Sequence, residues 1–248
     1  MGDPLSDLEK QQASLVGVQL KDFRAANLFS LVADHIPSGS RVLDVGCGAG
    51  GLVAYLRQRR VDAYGIDTSA PTIAAAQTFY AANGIEPNCL SVKSTDVILS
   101  EGARYDVVVC MDCLEHVEDD QSLFDELLRV VRPGGVVIIT VPALMALYGE
   151  RDVRIGHYRR YSKARLLSLV DTSSIRIQTI RYWNALGVAP TFLSQKILGR
   201  NVDEGFRYGT LSLRKRLMRR ALFAWFKHVE NRLRPPLGMS LFMVLHRP

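Results

Sequence analysis

The chain has 248 residues, 48% apolar and 8% aromatic, which is ordinary for one globular domain with or without an insertion. No stretch approaches the roughly 18 uninterrupted apolar residues of a membrane-spanning helix, and residues 1–10 are too polar and acidic for a secretory signal. Residues 1–150 hold 11 basic and 20 acidic side chains, whereas residues 151–248 hold 20 basic and 5 acidic. We therefore expect a cytoplasmic protein with free thiols, whose basic part faces either solvent or an anionic partner.

The first elements of the chain surround a glycine-rich turn. Helical spacing of apolar residues over Leu15–Ala33 predicts a helix, and we assign residues 1–40 to an N-terminal helical cap. The strand Arg41–Val45 then enters three glycines at alternate positions in Gly46–Gly50, and Leu52–Arg60 follows as a helix. Glycine lets the backbone turn tightly and lets a ligand approach where a Cβ would block it. The turn therefore predicts a ligand site at the end of the first strand.

Apolar runs and helical patterns then alternate along the chain. Strands are predicted at Val61–Ile66, Asn88–Val92, Tyr105–Cys110 and Val136–Val141. Helices are predicted between them at Pro71–Asn83 and Asp120–Val131. Because each strand is almost continuously apolar, the pattern indicates a parallel sheet that is covered on both faces.

The pattern changes after Pro142. A long connection, a helix and an alternating strand are predicted at Ala143–Tyr161, Ser162–Val170 and Ile175–Tyr182. An apolar broken helix or lid, a loop and a basic amphipathic helix follow at Trp183–Leu198, Asn201–Thr210 and Leu211–Arg234. Ser240–His246 has the pattern of a final strand.

Acidic residues accompany the turn and the ends of later strands. Asp44 lies two positions before the glycines, whose GxGxG spacing differs from the dinucleotide pattern GxGxxG. Asp67 ends the second strand, where an acid can hydrogen-bond two ribose hydroxyls; a helix cap is the alternative. Asp96 follows the third strand, where its carboxylate would accept the exocyclic amine of adenine; a surface aspartate is the alternative.

Two further runs complete an ordered set of landmarks, Leu114-Glu115-His116-Val117 and, over 128–135, Leu-Arg-Val-Val-Arg-Pro-Gly-Gly. With them, Arg41–Pro142 resembles the class I S-adenosylmethionine-dependent methyltransferases. The likeness is greatest to the bacterial small-molecule branch, which includes the quinone-precursor O-methyltransferases.

The resemblance implies a Rossmann-like α/β fold. Its sheet would be seven-stranded and mostly parallel, with helices on both faces, a reversed last strand and a helical insertion before that strand. Residues 41–182 would then form the cofactor-binding core, 183–239 a helical lid over the substrate site, and 240–248 the last strand of the core.

The resemblance also implies a cofactor, S-adenosylmethionine, which leaves as S-adenosylhomocysteine. The glycine turn would lie along its methionine and ribose parts, Asp44 would reach its amino group, and Asp67 would hold its ribose. Asp96 and Val97 would hold the adenine edge. The full set of implied cofactor-binding residues is Arg24, Asp44, Gly46, Cys47, Gly48, Gly50, Asp67, Thr68, Asp96, Val97, Met111 and Leu114.

A hydroxyl acceptor would also require a base, because its proton must leave as the methyl group arrives. His116 and His157 follow the fourth and fifth strands, at the sheet edge where ligands bind. Arg159 and Tyr161 accompany His157 in an unusually dense loop, so we take these four residues as catalytic candidates. The alternatives are a structural hydrogen bond that closes the cofactor pocket, for His116, and a loop anchor, for the other three.

Several other chemistries are disfavoured. The turn after the fourth strand lacks the Asn/Asp-Pro-Pro-Tyr/Phe of base-methylating enzymes, and no cysteine follows a proline. Pro142-Ala143-Leu144-Met145 offers no carboxylate after the fifth strand, so no metal is expected. The alternatives that stay open are N- or C-methylation of a natural product, and RNA modification through the basic C-terminal region, although that region has no recognised RNA-binding module.

The predicted amphipathic helix over 211–234 suggests a contact with a partner outside the domain. Aromatic residues among Arg and Lys suit a peripheral contact with an anionic membrane, and the acceptor is expected to be a small or lipid-like molecule. The alternative is packing of this helix against its own domain or against a second subunit in a homodimer.

Overall fold

Seven strands form one sheet at the centre of the protein, in a computed structural model that describes residues 22–194 and 213–248. The strands are β1 (Arg41–Val45), β2 (Asp62–Asp67), β3 (Leu90–Val92), β4 (Tyr105–Met111), β5 (Val131–Pro142), β6 (Arg176–Trp183) and β7 (Ser240–His246). Their order across the sheet is β3-β2-β1-β4-β5-β7-β6. Strands β1 to β5 pair in parallel, and β7 runs antiparallel to both β5 and β6. The predicted Rossmann-like α/β sheet with a reversed last strand is confirmed.

Successive residues of β4 point to opposite faces of the sheet, as the pleat of a strand requires. Val107 and Val109 belong to one buried apolar cluster, and Val108 and Cys110 belong to the other. All four side chains are fully buried. The continuous apolar run therefore reflects a strand with a hydrophobic core on each side.

Helices cover both faces. They are α1 (Phe23–Ala33), α2 (Gly51–Arg57), α3 (Ala70–Ala82), α4 (Thr95–Ser100), α5 (Asp120–Val130), α6 (Glu150–Arg154), α7 (Lys163–Leu167), α8 (Val188–Phe192) and α9 (Leu213–Trp225). The short helices α4 and α6 were not predicted, because five or six residues are too few to show helical periodicity. Residues 15–21 of the predicted first helix and the predicted loop Asn201–Thr210 lie outside the described residues.

The segment between β6 and β7 is anchored to the N-terminal helix. Trp183 belongs to β6, so this segment starts at Asn184, one residue later than predicted. After α9, a π-helical turn buries Phe226, whose ring centre lies 5.9 Å from that of Phe23 and 5.1 Å from that of Trp183. Within the described ranges, no helix has the length and apolar character needed to cross a bilayer.

Candidate cofactor and active site

A cavity of about 490 Å³ opens at the carboxyl ends of β1, β2 and β4. Strand β1 lies between β2 and β4, where the strand order reverses, and ligands of open α/β sheets bind in such a crevice. The cavity is lined by Leu123 and by four segments, namely 45–46, 66–69, 93–95 and parts of 112–117. The volume is within the usual range for small-molecule and cofactor sites.

The glycine turn has the backbone that its sequence predicts. Gly46, Gly48 and Gly50 have φ angles of +69°, +52° and +72°, a left-handed conformation that glycine adopts without steric cost. A Cβ at Gly46 would overlap the Sγ atom of Cys113, and a Cβ at Gly50 would come within 2.6 Å of the Tyr80 hydroxyl. The turn therefore has no room for a side chain at either position.

Asp67 braces this turn and lines the cavity. Its Oδ2 accepts a hydrogen bond from the backbone N–H of Gly48 at 2.9 Å, and its Oδ1 accepts one from the N–H of Ser69 at 2.9 Å. The cap of helix α3 is Ser69 itself, whose hydroxyl accepts from Thr72 N–H. Asp67 is thus a cavity residue held in place by backbone donors, and the helix cap that was its alternative is a neighbouring residue.

Asp44 has a buried carboxyl oxygen that lacks a hydrogen-bond donor. Its side chain is 3% exposed, and its Oδ1 has no hydrogen-bond partner. Burial, together with the nearby charge of Asp67, raises the pKa of Asp44 to about 8. An ammonium group beside this carboxyl would relieve the cost of a buried, unpaired acceptor. The amino group of S-adenosylmethionine is such a donor, so the residues around the turn fit the implied cofactor.

Other implied cofactor residues have varied positions. Thr68 lines the cavity. Cys47 packs against Gly65, and Leu114 is fully buried in the core. Met111 is half-buried against the other core cluster, and neither it nor Leu114 is in the cavity wall. Met111, the last residue of β4, and Leu114, in the loop after it, thus contact the core, whereas the resemblance placed them near the cofactor.

The residues predicted to hold the adenine edge lie beside the cavity and not in its wall. Asp96 is exposed in the first turn of α4 and, like Val97, is not among the residues that line the cavity. Lys93, Ser94 and Thr95 line it instead. Because a helix starts at Thr95, the chain turns away from the cavity one residue before Asp96. The reading of Asp96 as a surface aspartate describes its position better.

Arg24 lies on α1, outside the cavity wall. Its Nε atom is buried and has no hydrogen-bond partner in the described part of the chain. A buried donor without an acceptor is costly, so a carboxylate at this end of α1 would stabilise it. The unpaired donor is consistent with the implied role toward the cofactor carboxylate.

The two histidines that are candidates for the base lie side by side. Their rings pack edge to face with centres 4.6 Å apart, and His116 lines the cavity. Burial and the neighbouring His157 ring lower the pKa of His116 below its usual value. A neutral imidazole at the cavity wall can accept a proton at physiological pH.

His157 is held from the side by a charged cluster. Its Nδ1 lies 3.0 Å from Oδ1 of Asp152, and Asp152 also accepts two hydrogen bonds from Arg160 at 2.9 and 3.0 Å. Burial opposes ionisation of Asp152, but the hydrogen bonds from His157 and Arg160 outweigh it and lower its pKa to about 2. Asp152 is therefore a permanent anion that orients the His157 ring.

Glu115 completes the surroundings of His157. Its carboxyl group is fully buried, and its Oε1 lies 3.8 Å from Nε2 of His157. Burial, with the charge of Asp112, raises its pKa well above the usual range, and neither carboxyl oxygen has a hydrogen-bond partner. Burial therefore favours the protonated form of the Glu115 carboxyl group.

Arg159 and Tyr161 do not line the cavity. The Tyr161 side chain is fully buried in the core, and its hydroxyl donates to Oδ2 of Asp120 at 2.9 Å. Arg159 pairs with the same carboxylate at 3.1 Å and donates to the backbone oxygens of Val117 and Glu118. Their contacts are those of loop anchors, the alternative to a catalytic role.

Glu115, His116 and His157 also lie close enough together to hold a cation between them. One donor atom from each lies within 4.8 Å of the others, and these are metal-binding residue types. The expectation of no metal considered carboxylates after the fourth and fifth strands, where Asp112 is present but the fifth strand has none. It did not anticipate that the loop after β5 brings a histidine to the loop after β4.

Some cavity residues were not predicted. Asp112 lines the cavity with φ +49°, a strained backbone for a residue with a side chain, and its N–H donates to Thr140 O at 2.9 Å. Cys113 lines it as well. The available signal was position, because both directly follow β4 at the sheet edge where ligands bind.

Comparison with known proteins identifies the family. The methyltransferase domain profile matches residues 19–185. The ubiquinone biosynthesis O-methyltransferase of Salmonella enteritidis is 31% identical over 185 residues, which cover 69% of this chain and 75% of that protein. The protein of the same name from Klebsiella pneumoniae is 32% identical over 155 residues. That match covers 57% of this chain and 64% of the relative, so it spans less than two thirds of that protein.

Solved structures share the fold. Magnesium protoporphyrin IX methyltransferase from Synechocystis, determined with bound S-adenosylmethionine, has a TM-score of 0.52 at 18% identity, covering all of this chain and 87% of its own. The cyclase SpnF has a TM-score of 0.59 at 21% identity, covering 90% and 81%. Since a cyclase shares it, the fold alone does not decide the reaction. The domain match and the related sequences show that the chain belongs to the class I S-adenosylmethionine-dependent methyltransferases.

Proposed function

We propose that the protein methylates a hydroxyl oxygen of a small or lipid-linked acceptor, with His116 as the base. The observation that carries the proposal is the position of His116, at the wall of the cavity with a pKa lowered by burial and by His157. Both relatives are ubiquinone biosynthesis O-methyltransferases, which supports oxygen as the acceptor atom.

The residues around the glycine turn position the methyl donor in this proposal. When bound, S-adenosylmethionine supplies a methyl group on a positively charged sulfur. Asp67 and the glycine turn hold the ribose end, and Asp44 pairs with the amino group. Fixing the methyl donor beside the acceptor supplies much of the rate, since orientation can contribute roughly 7–11 kcal/mol to lowering a barrier.

Proton transfer falls to the histidine pair. Nδ1 of His116 faces Gly156, so Nε2 is the atom left to take the acceptor's hydroxyl proton. His116 would take the hydroxyl proton of the acceptor, and a bound S-adenosylmethionine would supply the methyl group that the acceptor oxygen receives. Asp152 holds His157 beside His116 and so keeps the cavity histidine neutral before the reaction.

The test is transfer of a deuterated methyl group from S-adenosylmethionine to a panel of phenols and catechols, with and without an apolar tail, read by mass spectrometry. Matched anilines report N-methylation. Replacing His116 by Ala should lower kcat at least about 100-fold while leaving cofactor binding intact. Methylation of the anilines alone, or full activity of the variant, would contradict the proposal.

A second arrangement rests on the Glu115, His116 and His157 group, which can hold a divalent cation. A bound cation would lower the pKa of an acceptor hydroxyl directly and replace the base. Treatment with EDTA followed by addition of Mg²⁺ or Zn²⁺ separates the two. Activity that survives EDTA supports a histidine base, and activity that returns only with the cation supports the metal.

A further inference from the structure

Helix α9 carries large apolar side chains on its solvent side. Leu217 and Met218 are 57% and 51% exposed, and Phe223 and Trp225 are each 40% exposed. Single exposed apolar residues are common, but four within nine residues of one helix form a patch.

The inward side of this segment already has its partners. Phe226 is buried beside Phe23 and Trp183. Glu230 is also buried, and its carboxylate accepts hydrogen bonds from Ala185 N–H at 3.0 Å and from Trp225 Nε1 at 3.3 Å. The buried side of the segment already packs against the domain. The exposed apolar side chains on the opposite side are therefore not part of the protein's own core.

Basic residues flank the apolar ones. Leu217, Ala221 and Ala224 are four and three residues apart, so they form a stripe along the outer face of the helix. Arg216 and Arg220, four apart and both exposed, lie along one side of that stripe. Arg214, Met218 and Trp225 share the opposite side by the same spacing.

The charge of this region has one sign. Within residues 213–248 the only acidic residue is Glu230, which is buried. Exposed basic residues continue past the helix at Lys227, Arg232 and Arg234, beside the exposed Leu233 and Leu237. The exposed face therefore combines positive charge with apolar side chains and offers no negative partner.

We propose that the outer face of α9 and residues 227–237 docks on the surface of an anionic phospholipid bilayer. Such a face suits the interface, where apolar side chains enter the acyl boundary and arginines meet phosphates. The proposal goes beyond the methylation reaction and does not depend on the acceptor.

Two other partners fit less well. A second copy meeting this face symmetrically would bring arginines against arginines, which is repulsive. A nucleic acid would attract the arginines and stack on Trp225 and Phe223, but it offers no apolar phase for Leu217, Met218, Leu233 and Leu237.

The experiment is co-sedimentation of the full chain with phosphatidylcholine vesicles and with vesicles that also contain phosphatidylglycerol. One variant reverses charge (Arg216→Glu with Arg220→Glu) and one removes apolar contact (Leu217→Ser with Met218→Ser). The matched controls are Arg104→Glu with Arg129→Glu, and Val92→Ser, all at exposed positions elsewhere. Thermal melting and cofactor binding report the folding of every variant.

We expect binding to the anionic vesicles only, weakened by salt and reduced at least about tenfold in both α9 variants but not in the controls. Equal binding to both vesicle types, or binding that both α9 variants retain, would overturn the proposal. So would a dimer that only the α9 variants disrupt, since it would identify a second copy as the partner, or tRNA binding that they abolish while vesicle binding persists.

Discussion

The imidazole rings of His116 and His157 meet edge to face, with their centres 4.6 Å apart. His157 is fastened to Asp152 on its other side, and His116 faces the cavity. A proton on one ring repels a proton on the other, so the pair favours a neutral His116.

The pH dependence of methylation follows from this pair. A base works in its neutral form, and the pKa of His116 is lowered, so activity should persist below the ordinary histidine pKa of about 6.5 and fall at more acid pH. His157→Gln removes the neighbouring charge and should shift the acid limb of kcat/KM upward. His228→Gln, at an exposed histidine, is the control. An unchanged acid limb in His157→Gln would show that burial alone sets this pKa.

Asp67 and Asp96 give opposite expectations for cofactor binding. Asp67→Ala removes the acceptor of Gly48 N–H and a cavity carboxylate, so calorimetry should show affinity for S-adenosylmethionine falling at least about tenfold. Asp96→Ala changes an exposed residue and should leave the affinity within about twofold. If Asp96→Ala weakened binding as much as Asp67→Ala, the result would support the role of Asp96 at the adenine edge.

Gly46 tests the requirement for a bare backbone in the turn. Gly46→Ala places a methyl group against Cys113 Sγ, so we expect loss of cofactor binding as well as lower stability. Gly84→Ala is the matched control, because Gly84 has a similar φ of +67° but open space around it. The control should cost about 1–2 kcal/mol of unfolding free energy and leave binding unchanged. Intact cofactor binding in Gly46→Ala would show that the turn or Cys113 can shift to make room for the added methyl group.

The ionised Asp152 should make the free energy of unfolding depend on pH in the acid range. Its pKa is lowered to about 2 in the folded protein, so its contribution is present above about pH 4 and is lost as the pH falls toward 2. Asp152→Asn should therefore destabilise the protein near neutrality by about 3 kcal/mol, because Arg160 loses its buried partner. Urea unfolding at several pH values measures both effects, and the difference between variant and wild type should shrink at low pH. A difference that does not vary with pH would count against the ionised cluster.

Local sequence patterns were enough to predict the sheet and part of the candidate site. Continuous apolar runs predicted the parallel strands, and the glycines before a helix predicted the turn, because both depend on near neighbours in the chain. The predicted ligand edge is where the cavity lies, and Asp67 and His116 line it.

The surroundings of individual side chains were harder to predict where they depend on residues distant in the sequence or on the direction of a short helix. Asp96 and Tyr161 have the residue types of a site, but α4 turns Asp96 to solvent and the bond to Asp120, 41 residues away, draws Tyr161 into the core. Asp112 and Cys113 line the cavity without a motif that marks them.

The sequence by itself determined the α/β fold, the family resemblance and the cofactor turn, since these follow from periodicity and from residues close in the chain. Only the tertiary structure decided which polar groups are buried and what they meet. It placed His157 between Asp152 and His116, left Asp44 and Glu115 with unpaired oxygens, and exposed the apolar side of α9. The reason is physical: burial and long-range pairing set the charge state of a side chain, and neither is a property of its neighbours in sequence.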